Sequence, residues 1–264
     1  MGETCNVSLL GWGAIGRTIG LALHRGEVLG ARLHRVAALA DTDDCPVPVV
    51  PADELAAGSD IVVEAAGQGA LAAFGASYLT AGCRLFVVSA GALVDQSLFD
   101  RLVAAGGSRL SVTSGAIGGL DLLAGVRRAG AITELTLTTT KRPDVLVQDW
   151  MDDELAAGLR AAEAPVTAFD GAAADAVAKF PQSVNVAATL ALAVGSWDLV
   201  RVRVVGDPAV TVNRHEVRLV GDAGRYLFTI ENHPSPDNPR TSGVVPHAVV
   251  RGLADLVGAS WRVV

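Results

Sequence analysis

Gly11-Trp12-Gly13-Ala14-Ile15-Gly16 is the stretch that decides the fold. Ahead of it, Asn6 to Leu10 (NVSLL) reads as a buried strand. Behind it, Ile15 to His24 reads as a helix, with Ile15, Ile19, Leu21 and Leu23 as its bulky apolar positions. Three glycines spaced this way in a strand-to-helix turn form a dinucleotide-binding fingerprint. Gly11 permits the tight turn, Gly13 lets the backbone approach a pyrophosphate, and Gly16 lets the helix pack close to the strand. The free N–H groups at the helix start, Ala14 and Ile15 among them, then face the phosphate charge. Taken alone, the glycines also fit an ordinary tight βα turn.

A second strand, Val36 to Leu39, ends at Asp41. A carboxylate there accepts hydrogen bonds from an adenosine ribose and repels a 2′-phosphate, which favours NAD over NADP. Asp41 lies somewhat farther past Gly16 than the usual ~20 residues, and Arg32 to Arg35 are read as lengthening the connection. The other reading of Asp41 is a solvated loop acid or a helix cap.

Composition narrows the class. The chain has 264 residues, half of them apolar, enough for one large domain or two modest ones with a sizeable core. No apolar run approaches the ~18–20 residues of a membrane span; Val186 to Val194 comes nearest. The first strand begins at about residue 6, so no signal peptide is read, and a soluble cytoplasmic protein is expected. The net charge is −7, with 28 acids and 21 bases interspersed. That argues against a nucleic-acid partner. Local arginines can still make a positive pocket for an anionic substrate. Cys5, Cys45 and Cys83 are odd in number and widely spaced, so they are read as reduced thiols without a metal or redox pairing.

Up to about Thr113 the pattern alternates strand and helix. Strands are expected at Ile61–Ala65, Leu85–Ser89 and Arg109–Thr113. Helices are expected at Gly69–Ala81 and at Asp95–Ala104, the latter with Leu98, Leu102 and Val103 inward. Continuous apolar strands interleaved with helices mean a parallel sheet covered on both faces. Ser114 to Gly119 is then a small-residue turn, and Leu120 to Ala129 reads as a helix. Ile132 to Thr140 (ITELTLTTT) alternates polar and apolar residues, marking a strand with one exposed face. Leu199–Val205, Asn213–Val220 and Arg225–Glu231 are similar, and Gly221 to Gly224 joins the last two as a hairpin. Helices are expected near Asp175–Phe180, Val184–Val194 and Val244–Val257. The fold class is therefore α/β. A parallel-sheet domain spans residues 1–113 and is rejoined by a C-terminal helix within 243–264. A second, α+β domain spans 114–242.

Ligands of open α/β sheets bind beyond the carboxyl ends of the strands. That selects Gly11–Gly16, Asp41, the turn Ala66-Gly67-Gln68-Gly69, Ser89–Gly91 and Ser114–Gly119. Among the histidines, His24 and His34 are read as surface residues, His247 as structural and His233 as ambiguous. His215, on a strand of the second domain, is the catalytic candidate; the other reading is a half-exposed strand histidine. No His/Cys/Asp cluster has metal spacing, so no metal is expected. No GxSxG elbow marks a nucleophilic serine.

Several segments together resemble the L-aspartate dehydrogenase family: GWGAIG, SGAIGGLD (Ser114–Asp121), KFPQSVNVAATLALA (Lys179–Ala193), DPAVTVNRHEV (Asp207–Val217) and ENHPSPDNPRTS (Glu231–Ser242). They span nearly the whole chain in the family's order. The resemblance implies a Rossmann domain with a substrate domain. It implies NAD(P)-dependent oxidation of L-aspartate to iminoaspartate, which hydrolyses to oxaloacetate and ammonia or feeds NAD biosynthesis. The family's active-site histidine falls on His215, and its nicotinamide-side contacts fall on Ala116 and Asn185. Ser183 stands where the family usually has asparagine, and Arg240 where it often has lysine, which presents its charge with different geometry. NAD is the expected cofactor, with NADP as the alternative, and a homodimer is expected.

The residues supply matching chemistry. Hydride removal from an amino acid's Cα needs a proton acceptor and a carboxylate clamp. A histidine with a pKa near ~6.5 can be the acceptor at neutral pH. Only Lys141 and Lys179 compete as lysine bases. Arg240, Thr241 and Ser242, with Lys141 or Arg142, could hold the two carboxylates through charge-assisted hydrogen bonds; the resemblance adds Asn185 on the substrate side. Competing readings are another NAD(P)-dependent enzyme of similar layout, of the homoserine dehydrogenase or dihydrodipicolinate reductase type, and a non-catalytic NAD-binding sensor.

Overall fold

The structure, a computed structural model, describes residues 4–39, 42–181 and 185–258. The chain divides into two compact units, one formed by the described residues up to Gly115 together with those from Val245 on, the other by Ala116–Val244.

The first unit is built from β1 (Cys5–Leu10), α1 (Ala14–His24), β2 (Ala31–Ala37), β3 (Ile61–Glu64), α2 (Gln68–Thr80), β4 (Arg84–Val87), α3 (Gln96–Gly106) and β5 (Leu110–Val112). Its five strands are all parallel, in the order β2-β1-β3-β4-β5. The order reverses at β1, so the crevice for a ligand opens at the carboxyl ends of β1 and β3. Strands β1, β3 and β4 are fully buried over most of their length, as their continuous apolar runs require.

Two expectations need correction here. Strand β2 begins at Ala31 rather than Val36, so Arg32 to Arg35 lie inside it and lengthen no connection. It is an edge strand, where charged residues can face outward. Arg32 does so, its Nε donating to Asn6 Oδ1 at 2.8 Å. In α3, Leu98 and Leu102 are buried, but Val103 is 43% exposed. One residue past Leu102 is about 100° farther round the helix, off the buried stripe. The Asp95 side chain caps this helix, accepting bonds from the Ser97 and Leu98 N–H groups.

The second unit contains α4 (Leu120–Ala129), β6 (Ile132–Lys141), α5 (Asp153–Arg160), β7 (Val166–Ala172), α6 (Ala173–Lys179), α7 (Asn185–Val194), β8 (Arg201–Gly206), β9 (Asn213–Gly221), β10 (Gly224–Asn232), β11 (Pro234–Ser235) and β12 (Asn238–Ser242). Its main sheet is mixed, in the order β10-β9-β6-β8-β7. Strands β6 and β8 are parallel, while the other neighbouring pairs are antiparallel. Helix α7 is buried over most of its circumference, so its apolar run is a core helix. Gln182 to Val184, including the Ser183 departure from the family pattern, lie outside the described residues. Sequence patterning missed α5, β7 and the β11–β12 pair. Strand β7 is an edge strand with mixed burial and gives only a weak alternation. The β11–β12 pair is short and carries prolines.

The last helix, α8 (Val245–Leu256), belongs to the first unit and packs against α1, burying Val245, Val249 and Leu253.

Candidate active site

The glycine turn follows β1 directly. Gly11 has φ +107, and a Cβ there would stand 2.6 Å from the Ala65 carbonyl oxygen. A Cβ on Gly16 would stand 2.1 Å from the Gly11 carbonyl oxygen. Both positions are glycine because α1, β1 and the turn after β3 meet there. Gly13 differs: a Cβ would find nothing within 4 Å. Its missing side chain has no internal packing reason and leaves open space at the start of α1. Gly13 caps α1 without a side-chain bond, and the first turn carries no acid. Uncapped N–H groups beside open space fit the pyrophosphate of a dinucleotide.

Trp12, between the first two glycines, is buried, and its Nε1 donates to Asp44 Oδ1 at 3.0 Å. Asp44 also pairs with Arg17 on α1. The Trp12 bond and the Arg17 pairing hold the Asp44 carboxyl below the ordinary range. The segment after β2 is thereby tied to the glycine turn. Asp41 itself lies outside the described residues.

The turn after β3 is organised by Glu64, which sequence reading passed over. This carboxylate is fully buried. Its Oε1 accepts bonds from the Ala66 and Gly67 N–H groups, each 2.9 Å, and from Ser89 Oγ at 2.9 Å; its Oε2 accepts from the Ser89 N–H at 3.0 Å. Burial pushes its pKa up against the pull of these donors. The Ala66 and Gly67 N–H groups, sequence candidates for cofactor contact, are therefore directed to Glu64. The available signal was a lone glutamate inside an apolar strand, IVVEA.

In the second unit the inward face of the main sheet changes character along its length. Strands β6 and β9 pair Leu135 with Leu219, Leu137 with Val217, and Thr139 with His215. One rung further, the side-chain alternation brings Lys141 and Asn213 to the same face. Leu135, Leu137, Val217 and Leu219 are buried hydrophobics, while Thr139, Lys141, Asn213 and His215 are buried polar groups. A core face that turns polar for two rungs is where function displaces packing.

His215 is 2% exposed, not half-exposed as its strand position suggested. Its Nδ1 shares a 3.1 Å hydrogen bond with Thr139 Oγ1. Burial, helped by the nearby Lys141 charge, pushes its pKa down to about 3, so the ring is neutral at pH 7 and not poised near ~6.5. Lys141 is 2% exposed, and its Nζ donates to the Arg240 carbonyl oxygen at 2.7 Å. Burial, then the Arg240 charge, brings its pKa down to about 8. Asn213 Nδ2 donates to Ser242 Oγ at 3.4 Å. Strand β12 thus lies against the polar rungs through Arg240 and Ser242.

The structure brings His215, Ser242 and the Arg240 backbone to this row. The Arg240 side chain is exposed and Thr241 half-buried. Asn185 opens α7, and the Ala116 carbonyl oxygen accepts from Asn232 Nδ2 at 2.9 Å. Arg142 and Lys179 are engaged elsewhere, Arg142 with Asp144 and Lys179 over the Trp150 ring. His24, His233 and His247 are exposed, whereas His34, expected at the surface, is half-buried with its ring close to Gly58. Among the described residues no group of three or more His, Cys, Asp or Glu side chains could hold a metal ion, and no helix is long and apolar enough to cross a membrane.

Comparison with known proteins converges on one family. Residues 11–109 match the model described as homoserine dehydrogenase, NAD binding domain. Residues 121–256 match that of aspartate dehydrogenase, C-terminal. The L-aspartate dehydrogenase of Methanopyrus kandleri is 36% identical over 264 residues, covering 93% of each chain. L-aspartate dehydrogenase 2 of Bordetella pertussis is 41% identical over 197 residues, 72% of each. The crystal structure of aspartate dehydrogenase from Thermotoga maritima superposes with a TM-score of 0.73 at 25% identity, covering 98% of both chains. Scyllo-inositol dehydrogenase from Lactobacillus casei, with a TM-score of 0.60 at 11% identity, shares the fold. With an NAD-binding first unit, a C-terminal half of the aspartate dehydrogenase type and identity to curated members over almost its whole length, the chain belongs to the L-aspartate dehydrogenase family.

Proposed function

We propose that this chain is an NAD-dependent L-aspartate dehydrogenase, oxidising L-aspartate to iminoaspartate, which hydrolyses to oxaloacetate and ammonia. The observation that carries the reading is the buried polar end of an otherwise apolar sheet face, where the Thr139–His215 pair is followed on the same face by Lys141 and Asn213. An imidazole flanked by a buried amine suits a substrate that brings both a proton to lose and carboxylates to bind.

When bound, NAD supplies the hydride acceptor. Gly13 leaves room for the pyrophosphate, and the N–H groups of Ala14 and Ile15 face its charge. Asp41, Ala66, Gly67, Ala116 and Asn185 are assigned as further cofactor contacts. Asp41 sets the preference for NAD, with NADP as the weaker alternative. His215 is assigned the proton step. Thr139 Oγ1 holds Nδ1, and Nε2 takes the proton from the substrate amine or the attacking water. Arg240, Thr241, Ser242 and Asn185 are assigned to the substrate carboxylates. The enzyme is taken to be a cytoplasmic homodimer acting on a small-molecule substrate.

The test is a panel of L-amino acids and of hydroxy and cyclic substrates with NAD, read as NADH formation. Turnover confined to L-aspartate supports the reading. Turnover of homoserine instead would assign a homoserine dehydrogenase, and NADH binding without any turnover a sensor.

A further inference from the structure

We propose that Lys141 is the residue that recognises a substrate carboxylate, its ammonium pairing with one carboxylate of L-aspartate next to His215. This rests on the reading of the chain as an aspartate dehydrogenase and adds to it a residue that decides binding.

Position comes first. Lys141 ends β6 on the inward face, one rung beyond the Thr139–His215 pair. It is as buried as His215, yet an ammonium carries three donors, and among the described residues Nζ donates to one acceptor, the Arg240 carbonyl oxygen. A buried charge is normally paired.

Among the described residues, the groups around Lys141 supply it with no ion-pair partner of opposite charge. Arg240, on β12, is positive and opposes the ammonium. His215, on β9, is neutral at pH 7. Asp207, after β8, meets Lys141 through its backbone N–H, while its Oδ1 takes the Ala209 N–H. On the strand's own continuation, Arg142 pairs with Asp144. Among the described residues no carboxylate forms an ion pair with Lys141. A buried ammonium beside a second positive charge, with no carboxylate paired to it among the described residues, leaves a site that a substrate carboxylate would complete.

Occupancy would also change His215. The Lys141 charge is one of the two causes that depress the imidazole. A carboxylate on Lys141 offsets that charge, so His215 becomes a stronger base when substrate is in place. Binding and proton transfer are then coupled through one residue.

The experiment measures inhibition by succinate against L-aspartate as a function of pH, on wild type, Lys141→Met and Lys141→Arg. Succinate has two carboxylates, ionised throughout this range, and no amine to titrate. His215 does not titrate in this range either, and arginine stays charged. In wild type the succinate Ki should rise about tenfold per pH unit above a pH of about 8, as the Lys141 ammonium is lost. Lys141→Arg should abolish that rise. Lys141→Met should weaken succinate about 10- to 100-fold at pH 7, the worth of one charge-assisted hydrogen bond, and give a flat profile. NADH affinity, to which Lys141 is assigned no contact, should remain near wild type in both variants and reports that they are folded. A flat wild-type profile, a Lys141→Met variant with wild-type Ki, or a fall in kcat with unchanged aspartate KM would overturn the proposal. A wild type that oxidises no aspartate would instead overturn the functional reading on which it rests.

Discussion

Two glycines of one turn should fail in opposite ways when substituted. Gly16→Ala places a methyl carbon 2.1 Å from the Gly11 carbonyl oxygen and 2.9 Å from its carbon. Ordinary contact needs more than an ångström of extra separation, so α1 must move away from β1. Overpacking of this kind costs about 1–3 kcal/mol and occasionally more; at 3 kcal/mol the Tm falls by roughly 6–12 °C. Gly13→Val places its side chain where nothing lies within 4 Å, and the Gly13 backbone, at φ −77 and ψ −171, is extended and open to valine. The penalty is the loss of a tolerated cap residue, about 1 kcal/mol. The bound pyrophosphate should suffer instead. Losing one charge-assisted bond to it costs about 1.5–3 kcal/mol, or roughly 10–100-fold in Kd. The assay is thermal melting beside NADH titration by fluorescence. A Gly13→Val variant that binds NADH like wild type, or a Gly16→Ala variant that melts like wild type, would refute the reasoning.

His215→Asn should lower kcat by about 10²–10⁴-fold with NADH affinity kept, as expected for loss of a positioned proton acceptor; near-wild-type turnover would remove His215 from the chemistry. The same substitution should flatten part of the acid stability curve. The folded His215 pKa of about 3 lies below the unfolded value of 6.5, so between them the unfolded chain binds the extra proton. Stability is therefore lost as pH falls through that window, at up to about 1.4 kcal/mol per pH unit, and a denaturant series at several pH values reads it. Arg240→Met should raise the aspartate KM far more than the NAD KM, because the backbone carbonyl that holds Lys141 is retained; an unchanged aspartate KM would place the guanidinium outside the site. Asp41→Ser should narrow the gap between NAD and NADP in kcat/KM, and a wild type that already uses both equally would contradict the role given to Asp41.

How legible the molecule was depends on what each residue answers to. The parallel sheet was readable because β1, β3 and β4 are buried on both faces and must be continuously apolar. The glycine turn was readable because sterics at Gly11 and Gly16 forbid any other residue. Strand β2 was cut short in the reading because an edge strand accepts Arg32 without penalty. Strand β12 was not read as a strand because it has one short partner and contains Pro239, so no periodicity forms. The location of His215 followed from its segment, but its state did not. Alternation places residue 215 on one face of β9, and only the packing shows that this face is sealed and next to Lys141. Glu64 was overlooked for a similar reason. A single acid in an apolar run shows its role only when the four donors around it are seen.

Transfer of deuterium from L-aspartate labelled at Cα tests the assigned activity most directly. Wild-type protein with NAD should yield reduced cofactor carrying the label, D-aspartate should yield none, and His215→Asn should transfer it far more slowly while still binding NADH. Reduced cofactor without deuterium, or no reduction of NAD by L-aspartate at all, would contradict hydride transfer from the substrate's Cα.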